Sequence, residues 1–244
     1  MTDNSKIQSV ARALKLLRFL EDGPKKLSEI SAKIEIHPPG ALKILRTLIE
    51  EELVSKADDN TYSLGLGCCS LVRGYLSKRP FAQAAYPIMA ELCETTGQAS
   101  ILAVLDGLDQ VNLMRISPAG GLPNELVPVK VGTAWPQATG LVLLANKAAE
   151  FLDRHLAKHP LSSLSQGPKT RAQLDKILQK VREDDYATVR VDESLKFLAM
   201  PIRNMHGFVA AALGLPLNPS IAMEVQAKSL KKAANLISRE LASE

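Results

Sequence analysis

The sequence predicts an α+β protein in two parts, an N-terminal winged helix-turn-helix domain and a C-terminal antiparallel sheet covered by helices. Three observations predict it. Leu27 to Leu64 reads as helix, turn, helix and β-hairpin; from Phe81 onward short strands are joined by tight turns, with helices before and after; and Lys78-Arg79-Pro80 breaks the pattern between them. At 244 residues and 46% hydrophobic content, the chain can form two domains, each with a real core.

Taken in order, Ser9 to Leu20 has helical periodicity, with Val10, Leu14, Leu17 and Leu20 on one stripe and Asp22-Gly23-Pro24 as the stop. Arg12 and Lys15 project from it, free to touch a DNA backbone or to be solvated. In the next helix Ile30 and Ile34 share a face, and the Ser28 hydroxyl is placed to cap the leading N–H groups. His37-Pro38-Pro39 interrupts, and because proline is best tolerated at the first helical position, the second helix starts at Pro38 or Pro39. Ala41, Leu45, Leu48 and Ile49 then line one side, with Lys43, Arg46 and Glu50 on the other.

Such a helix can lie in a major groove, although an ordinary amphipathic helix has the same outline. The hairpin that follows makes the combination specific: Leu53 to Lys56, the turn Ala57-Asp58-Asp59-Asn60, then Thr61 to Leu64. Glu50, Glu51 and Glu52 confine any contact to the first half of the helix. Leu66 to Ser77 is again helical in pattern, a linker helix that could pair with its own copy. The expected boundaries are therefore 1–65 for the winged helix-turn-helix, 66–80 for the linker helix and 81–244 for the second domain.

The second domain opens with a helix from Phe81 to about Thr96, starting properly at Phe81 or only at Pro87, with Ala85, Ile88, Met89 and Leu92 as its stripe and Gly97 closing it. Ala99 to Leu105 and Val111 to Ile116 form a hairpin around residues 106–109, and Val127 to Val131 is a further strand. Ser117 to Pro123 is dense enough in breakers to be a loop. Thr139 to Ala145 is uniformly apolar, so periodicity alone leaves a buried strand open. Thr170 and Gln173 form a capping box that opens a helix to about Glu183. Strands at Ala187 to Val191, Phe197 to Ile202 and Phe208 to Leu215 follow, and a closing helix runs from about Ser220 to Leu241.

The net charge of +4 is mild, but up to Ile49 there are nine Lys+Arg against five Asp+Glu, so the basic surplus is concentrated at the N-terminal end. No uninterrupted apolar run approaches the roughly 18 residues of a membrane span, and the polar start lacks a signal-peptide core, so a cytoplasmic protein without membrane contact is expected. Cys68, Cys69 and Cys93 offer no CxxC pair and read as small buried hydrophobes.

The segments Ser9-Val10-Ala11-Arg12-Ala13-Leu14, Leu27-Ser28-Glu29-Ile30-Ser31, Leu45-Arg46-Thr47-Leu48 and Tyr62-Ser63-Leu64-Gly65 resemble the N-terminal domain of IclR-type bacterial transcriptional regulators. Thr96-Gly97-Gln98-Ala99, Val131-Gly132-Thr133-Ala134-Trp135-Pro136, Ala199-Met200-Pro201-Ile202-Arg203-Asn204 and Gly207 to Leu213 resemble that family's effector domain, so the resemblance covers essentially the whole chain. It implies a helical assignment for Thr139 to Ala145 and a GAF-like effector-binding domain. It also implies a regulator that binds double-stranded operator DNA as a homodimer or a dimer of dimers and senses a small molecule, often an organic acid. Two departures stand out. Pro38-Pro39-Gly40 replaces the small hydroxyl residues that usually open the recognition helix, and Glu52 stands where the family prefers glycine. Trp135 to Ala145 and Tyr186 to Pro201 are also shorter than the family pattern.

The DNA-contacting candidates are Arg12, Ser28, Pro39, Gly40, Leu42, Lys43, Arg46, Lys56 and Thr61, with Lys43 and Arg46 as base readers and Leu42 available to a thymine methyl. The effector-binding candidates are Asn112, Arg115, Trp135, Thr139, Gly140 and Lys196. A helix starting near Thr139 offers free N–H groups to a carboxylate, and the sole tryptophan can wall an apolar pocket. No cofactor motif is present. An enzyme finds little support: His155 and His159 are four apart but lack a third ligand at useful spacing and read as surface residues, His206 and His37 lack partners, and Asp192 and Glu193 point to opposite faces. The alternative to a DNA-binding regulator is a dimeric small-molecule-binding protein whose helix-turn-helix is degenerate, for which Pro38-Pro39 is the motive.

Overall fold

The computed structural model describes residues 6–77, 81–119, 128–163 and 167–242. Contacts divide the chain into two compact units, residues 1–78 and 79–244.

In the first unit, α1 (Gln8–Phe19), α2 (Leu27–Ile34) and α3 (Pro38–Glu50) enclose a core of Leu16, Leu20, Ile30, Ile34, Ala41, Leu45 and Leu48. Val54 and Tyr62 close it from β2 (Val54–Lys56) and β3 (Thr61–Leu64). The hairpin register places Ser55 opposite Ser63, with their hydroxyls 2.8 Å apart. A two-residue strand, β1 (Lys25–Lys26), pairs with β3 and completes a three-stranded sheet that local sequence pattern did not announce. The stripe expected on α1 is rotated: Leu16 and Leu20 are buried, whereas Val10 and Leu14 are about half exposed. Ile49 likewise faces solvent, and half-buried Ile44 packs on the core in its place. Ser28 is not the cap of α2. It lies one residue inside the helix, and the Glu29 carboxylate accepts the Lys26 N–H at 2.8 Å.

The end of α3 explains a departure noted in sequence. Glu52 N–H donates to Ile49 O and Leu53 N–H to Leu48 O, the double closure of a helix whose next residue turns left-handed, and Glu52 accordingly has φ +59°. Glycine adopts that conformation without steric cost; glutamate does not. The start of α4 (Gly67–Leu76) docks here, through Gly67 N–H to Glu52 O and the Cys68 thiol to Leu53 O. Of the cysteines, Cys93 is buried, Cys68 half-buried and Cys69 exposed, so the expectation that all three are buried fails at Cys69.

The second unit is built on a six-stranded antiparallel sheet. Its strands are β4 (Ser100–Asp106), β5 (Asp109–Ile116), β6 (Val129–Gly132), β7 (Ala187–Arg190), β8 (Lys196–Arg203) and β9 (Val209–Pro216), in the order β6-β5-β4-β9-β8-β7. Of the expected strand at 127–131, Val127 lies outside the described residues, as does most of the 117–123 loop. One face packs against α5 (Phe81–Thr96), continuous through Pro87, and α9 (Met223–Ala242). The other face packs against α6 (Ala138–Ala145), which α8 (Arg171–Asp184) covers in turn; α7 (Ala149–Lys158) joins the same core. All eight residues of α6 are buried, so it shows no amphipathic period and sequence alone could not separate it from a strand. Thr170 caps α8 as expected, accepting from Gln173 N–H while the Gln173 side chain accepts from Thr170 N–H. Asp192 caps the β7–β8 turn by accepting from the backbone N–H groups of Ser194 and Leu195.

Candidate functional site

The first unit offers a surface built around α3. Pro38 and Pro39 occupy its first two positions, where an N–H would have no partner within the helix, so the helix forms intact. The next two N–H groups, Gly40 and Ala41, donate to His37 O. The helix start therefore has few donors to offer a phosphate, and side chains must supply the contacts. Lys43 and Arg46 are exposed, and neither side chain has an ion pair or hydrogen bond among the described residues. Pro39 is exposed on the same helix, with Gly40 and Leu42 half-buried; Ala41, Leu45 and Leu48 anchor it to the core.

Around this helix the other candidates differ in availability. Ser28 and Lys56 are exposed and Arg12 is half-buried. Lys56 sits 6.0 Å from the Tyr62 ring centroid, which holds its ammonium on the hairpin. Thr61 is committed: its hydroxyl and its N–H both donate to Asp59, whose carboxyl these bonds hold below the usual range. Lys15 is not free either, being paired with Glu35 at 2.7 Å.

In the second unit, Asn112, Arg115, Thr139 and Gly140 gather on the α6 side of the sheet. The Gln110 amide donates to Asn112 Oδ1 and to Thr139 Oγ1, both at 3.1 Å. Arg115 pairs across from Ile101, which in turn pairs with Gly214, and the Gly214 backbone faces Thr139. The start of α6 is packed, however. A Cβ on Gly140 would lie 1.9 Å from Ala134 O, and one on Gly214 would lie 2.8 Å from the Thr139 methyl. Helix and sheet approach so closely at Gly140 and Gly214 that neither position has room for a side chain. Lys196 lies on the opposite face, with its ammonium beside Met223 at the start of α9, so it does not join the others.

Trp135 is pinned instead of free to turn: its indole N–H donates to His159 O at 3.3 Å. His159 belongs to a cluster that the sequence did not reveal. The Asp109 carboxylate meets Lys130 at 2.6 Å, Lys158 at 2.8 Å and His159 Nε2 at 2.8 Å, and Thr133 Oγ1 lies 3.3 Å from His159 Nδ1. Burial pushes the Asp109 carboxyl up, but hydrogen bonds from Lys130, Lys158 and His159 outweigh it and hold the group far below the ordinary carboxylate range. The two histidines are thus not surface residues. His155 is fully buried, with Nδ1 on Leu108 O at 2.9 Å, and burial lowers its pKa. No group of three or more His, Cys, Asp or Glu suited to a metal occurs among the described residues.

On the far side of Trp135 lies a cavity of about 790 Å³ between α8 and β7, with apolar walls that include Leu141, Ile177, Val181 and Val189. Of the six effector candidates only Trp135 lines it. The signal that could have found the rest was the apolar α8 face joined to the β7 edge, two segments whose proximity is tertiary.

The pattern of the IclR helix-turn-helix domain matches residues 9–58, and that of the bacterial transcriptional regulator IclR C-terminal domain matches residues 73–242. The Pca regulon regulatory protein of Pseudomonas putida is 28% identical over 218 residues, covering 85% of this chain and 73% of its own. The HTH-type transcriptional regulator XynR of Escherichia coli is 26% identical over 218 residues, 86% of this chain and 85% of its own. An IclR homolog from Microbacterium hydrocarbonoxydans, solved with 4-hydroxybenzoate, superposes with a TM-score of 0.82 at 23% identity, covering 97% of this chain and 100% of its own, which shows the fold. No helix among the described residues is long and apolar enough to cross a membrane.

Proposed function

The chain belongs to the IclR family of bacterial transcriptional regulators, with a helix-turn-helix DNA-binding domain and a C-terminal effector domain, and from that premise we propose how its residues divide the work. The α3 helix enters the major groove of operator DNA, where Lys43 and Arg46 reach base edges and Leu42 meets a thymine methyl. Pro39 and Gly40 give the helix start a close, donor-poor approach to the duplex. Arg12, Ser28 and Lys56 position the domain on phosphates. Thr61 shapes the hairpin turn through Asp59 instead of contacting DNA by its hydroxyl. The single observation that carries this reading is a pair of exposed cations, without a side-chain partner among the described residues, on a helix whose opposite face is anchored in the core.

The protein acts in the cytoplasm as a homodimer or a pair of dimers, and as a regulator, not an enzyme. The exposed apolar stripe of Ile7, Val10 and Leu14 along α1, unused by the domain's own core, supports pairing with a second copy. The second unit senses an organic acid, with Trp135 as the wall of its pocket; the 4-hydroxybenzoate found in the Microbacterium homolog supports that ligand class. The test is titration of the purified protein against the DNA upstream of its own gene, at two salt concentrations and with unrelated competitor. Specific complex that survives competitor and weakens steeply with salt supports the regulator. Binding no tighter than to competitor, with no site recovered by selection from genomic fragments, supports a degenerate helix-turn-helix.

A further inference from the structure

We infer that the cavity between α8, β7 and Trp135 is a binding site for an amphipathic dianion, an acid whose apolar body is larger than one ring and which carries two negative groups. This rests on the reading of the second unit as ligand-sensing. Size comes first: about 790 Å³ lies within the roughly 300–1,000 Å³ of sites that enclose drug-sized ligands, and a one-ring acid would leave much of it empty.

The wall is preformed. Trp135 is held by its indole N–H on His159 O, and Gly167, at φ +105°, runs so close to the ring that a Cβ there would lie 2.8 Å from it. Leu141, Ile177, Val181 and Val189 continue the apolar lining. Charge is the second observation. Lys176 and Lys180, one turn apart on α8, and Arg190, at the end of β7, also line the cavity. None of the three side chains has an ion pair or hydrogen bond among the described residues, and Asp184 is the one carboxylate among the described residues of the same lining. Like charges a turn apart on a helix repel, and an anion between them relieves the repulsion. Lys130 and Lys158 elsewhere in the unit already have Asp109 as their anion; these three have none. An excess of cations over an apolar floor therefore selects a ligand with an apolar body and more than one negative group.

Calorimetric titration of the full chain with biphenyl dicarboxylate, biphenyl monocarboxylate and 4-hydroxybenzoate tests this, with emission from the sole tryptophan, Trp135, reporting occupancy. The dicarboxylate is expected to bind about tenfold tighter than either monoacid, as one added charge-assisted contact gives, and to change Trp135 emission. Lys180→Gln combined with Arg190→Gln is expected to bring it down to the biphenyl monocarboxylate level with an unchanged melting temperature; Lys176→Gln alone gives a smaller loss. Equal affinity for dicarboxylate and monocarboxylate, tighter binding of the one-ring acid, or full retention by the double variant overturns the inference. Release of operator DNA separates the two claims. Selective dicarboxylate binding without release leaves the site standing and removes its role as sensor; release by a one-ring acid alone leaves the sensor standing and removes this site.

Discussion

Two groups of cations in this molecule meet opposite fates. On α3, Lys43 and Arg46 stand exposed with no side-chain partner among the described residues. In the second unit Lys130 and Lys158 converge on Asp109 together with His159. An exposed ion pair contributes little to stability, and a lone surface cation contributes almost nothing, so the α3 cations are available to a polyanion without cost to the fold. The Asp109 cluster, whose carboxylate is largely buried, serves the fold, tying α7 and β6 to the start of β5. The residue type does not distinguish the two groups; the anion supplied by the protein does.

Substitutions that disturb packing and the internal cluster should change stability, and those on the free cations should change binding alone. The largest effect is expected from Gly140→Ala, whose Cβ would meet Ala134 O at 1.9 Å. The buried α6 cannot shift easily, and a loss of about 3 kcal/mol or more in denaturant unfolding is predicted. Asp109→Asn comes next, with a loss of about 2 kcal/mol at neutral pH. A carboxyl held below its usual range gives stability that is full above its unfolded pKa of about 4 and is lost as pH falls through its own depressed value. The variant should therefore show a flatter decline in melting temperature below about pH 4 than the parent. Glu52→Gly relieves a left-handed residue at the end of α3 and should stabilise the first unit by about 1 kcal/mol, a shift of a few degrees in its melting transition. Lys196→Ala, on the face away from α6, should leave both stability and ligand affinity unchanged within error, as calorimetry would show.

The fold was legible where it is local. The α3 stripe, the alternating hairpin and the Thr170–Gln173 capping box each follow from residues a few positions apart. It was illegible where distant segments decide. The strand β1 exists only because Lys25 and Lys26 meet Tyr62 and Thr61. On α1 the apolar residues outnumber those its own core can use, and tertiary packing selects Leu16 over Val10 and Leu14. The Asp109 cluster joins residues 50 positions apart, and for that reason His159 reads in sequence as a surface residue. The site divides in the same way. Trp135 was recognisable as the lone tryptophan before an apolar helix, whereas Lys176, Lys180 and Arg190 acquire meaning only once α8 and β7 form one cavity. Thr139 and Gly140 stand at the start of an apolar helix, and only the tertiary structure shows that they also pack α6 closely against its neighbours.

In the proposed division of work, the cations of α3 read DNA sequence while Lys56 on the hairpin only holds the backbone. The direct measurement compares Lys43→Ala and Lys56→Ala in titrations against the operator and against single-base variants of it. Lys43→Ala should lose about tenfold in operator affinity and discriminate less at one position. Lys56→Ala should weaken binding to every sequence alike and reduce the salt slope by about one. Equal, sequence-independent losses for both variants would contradict this division.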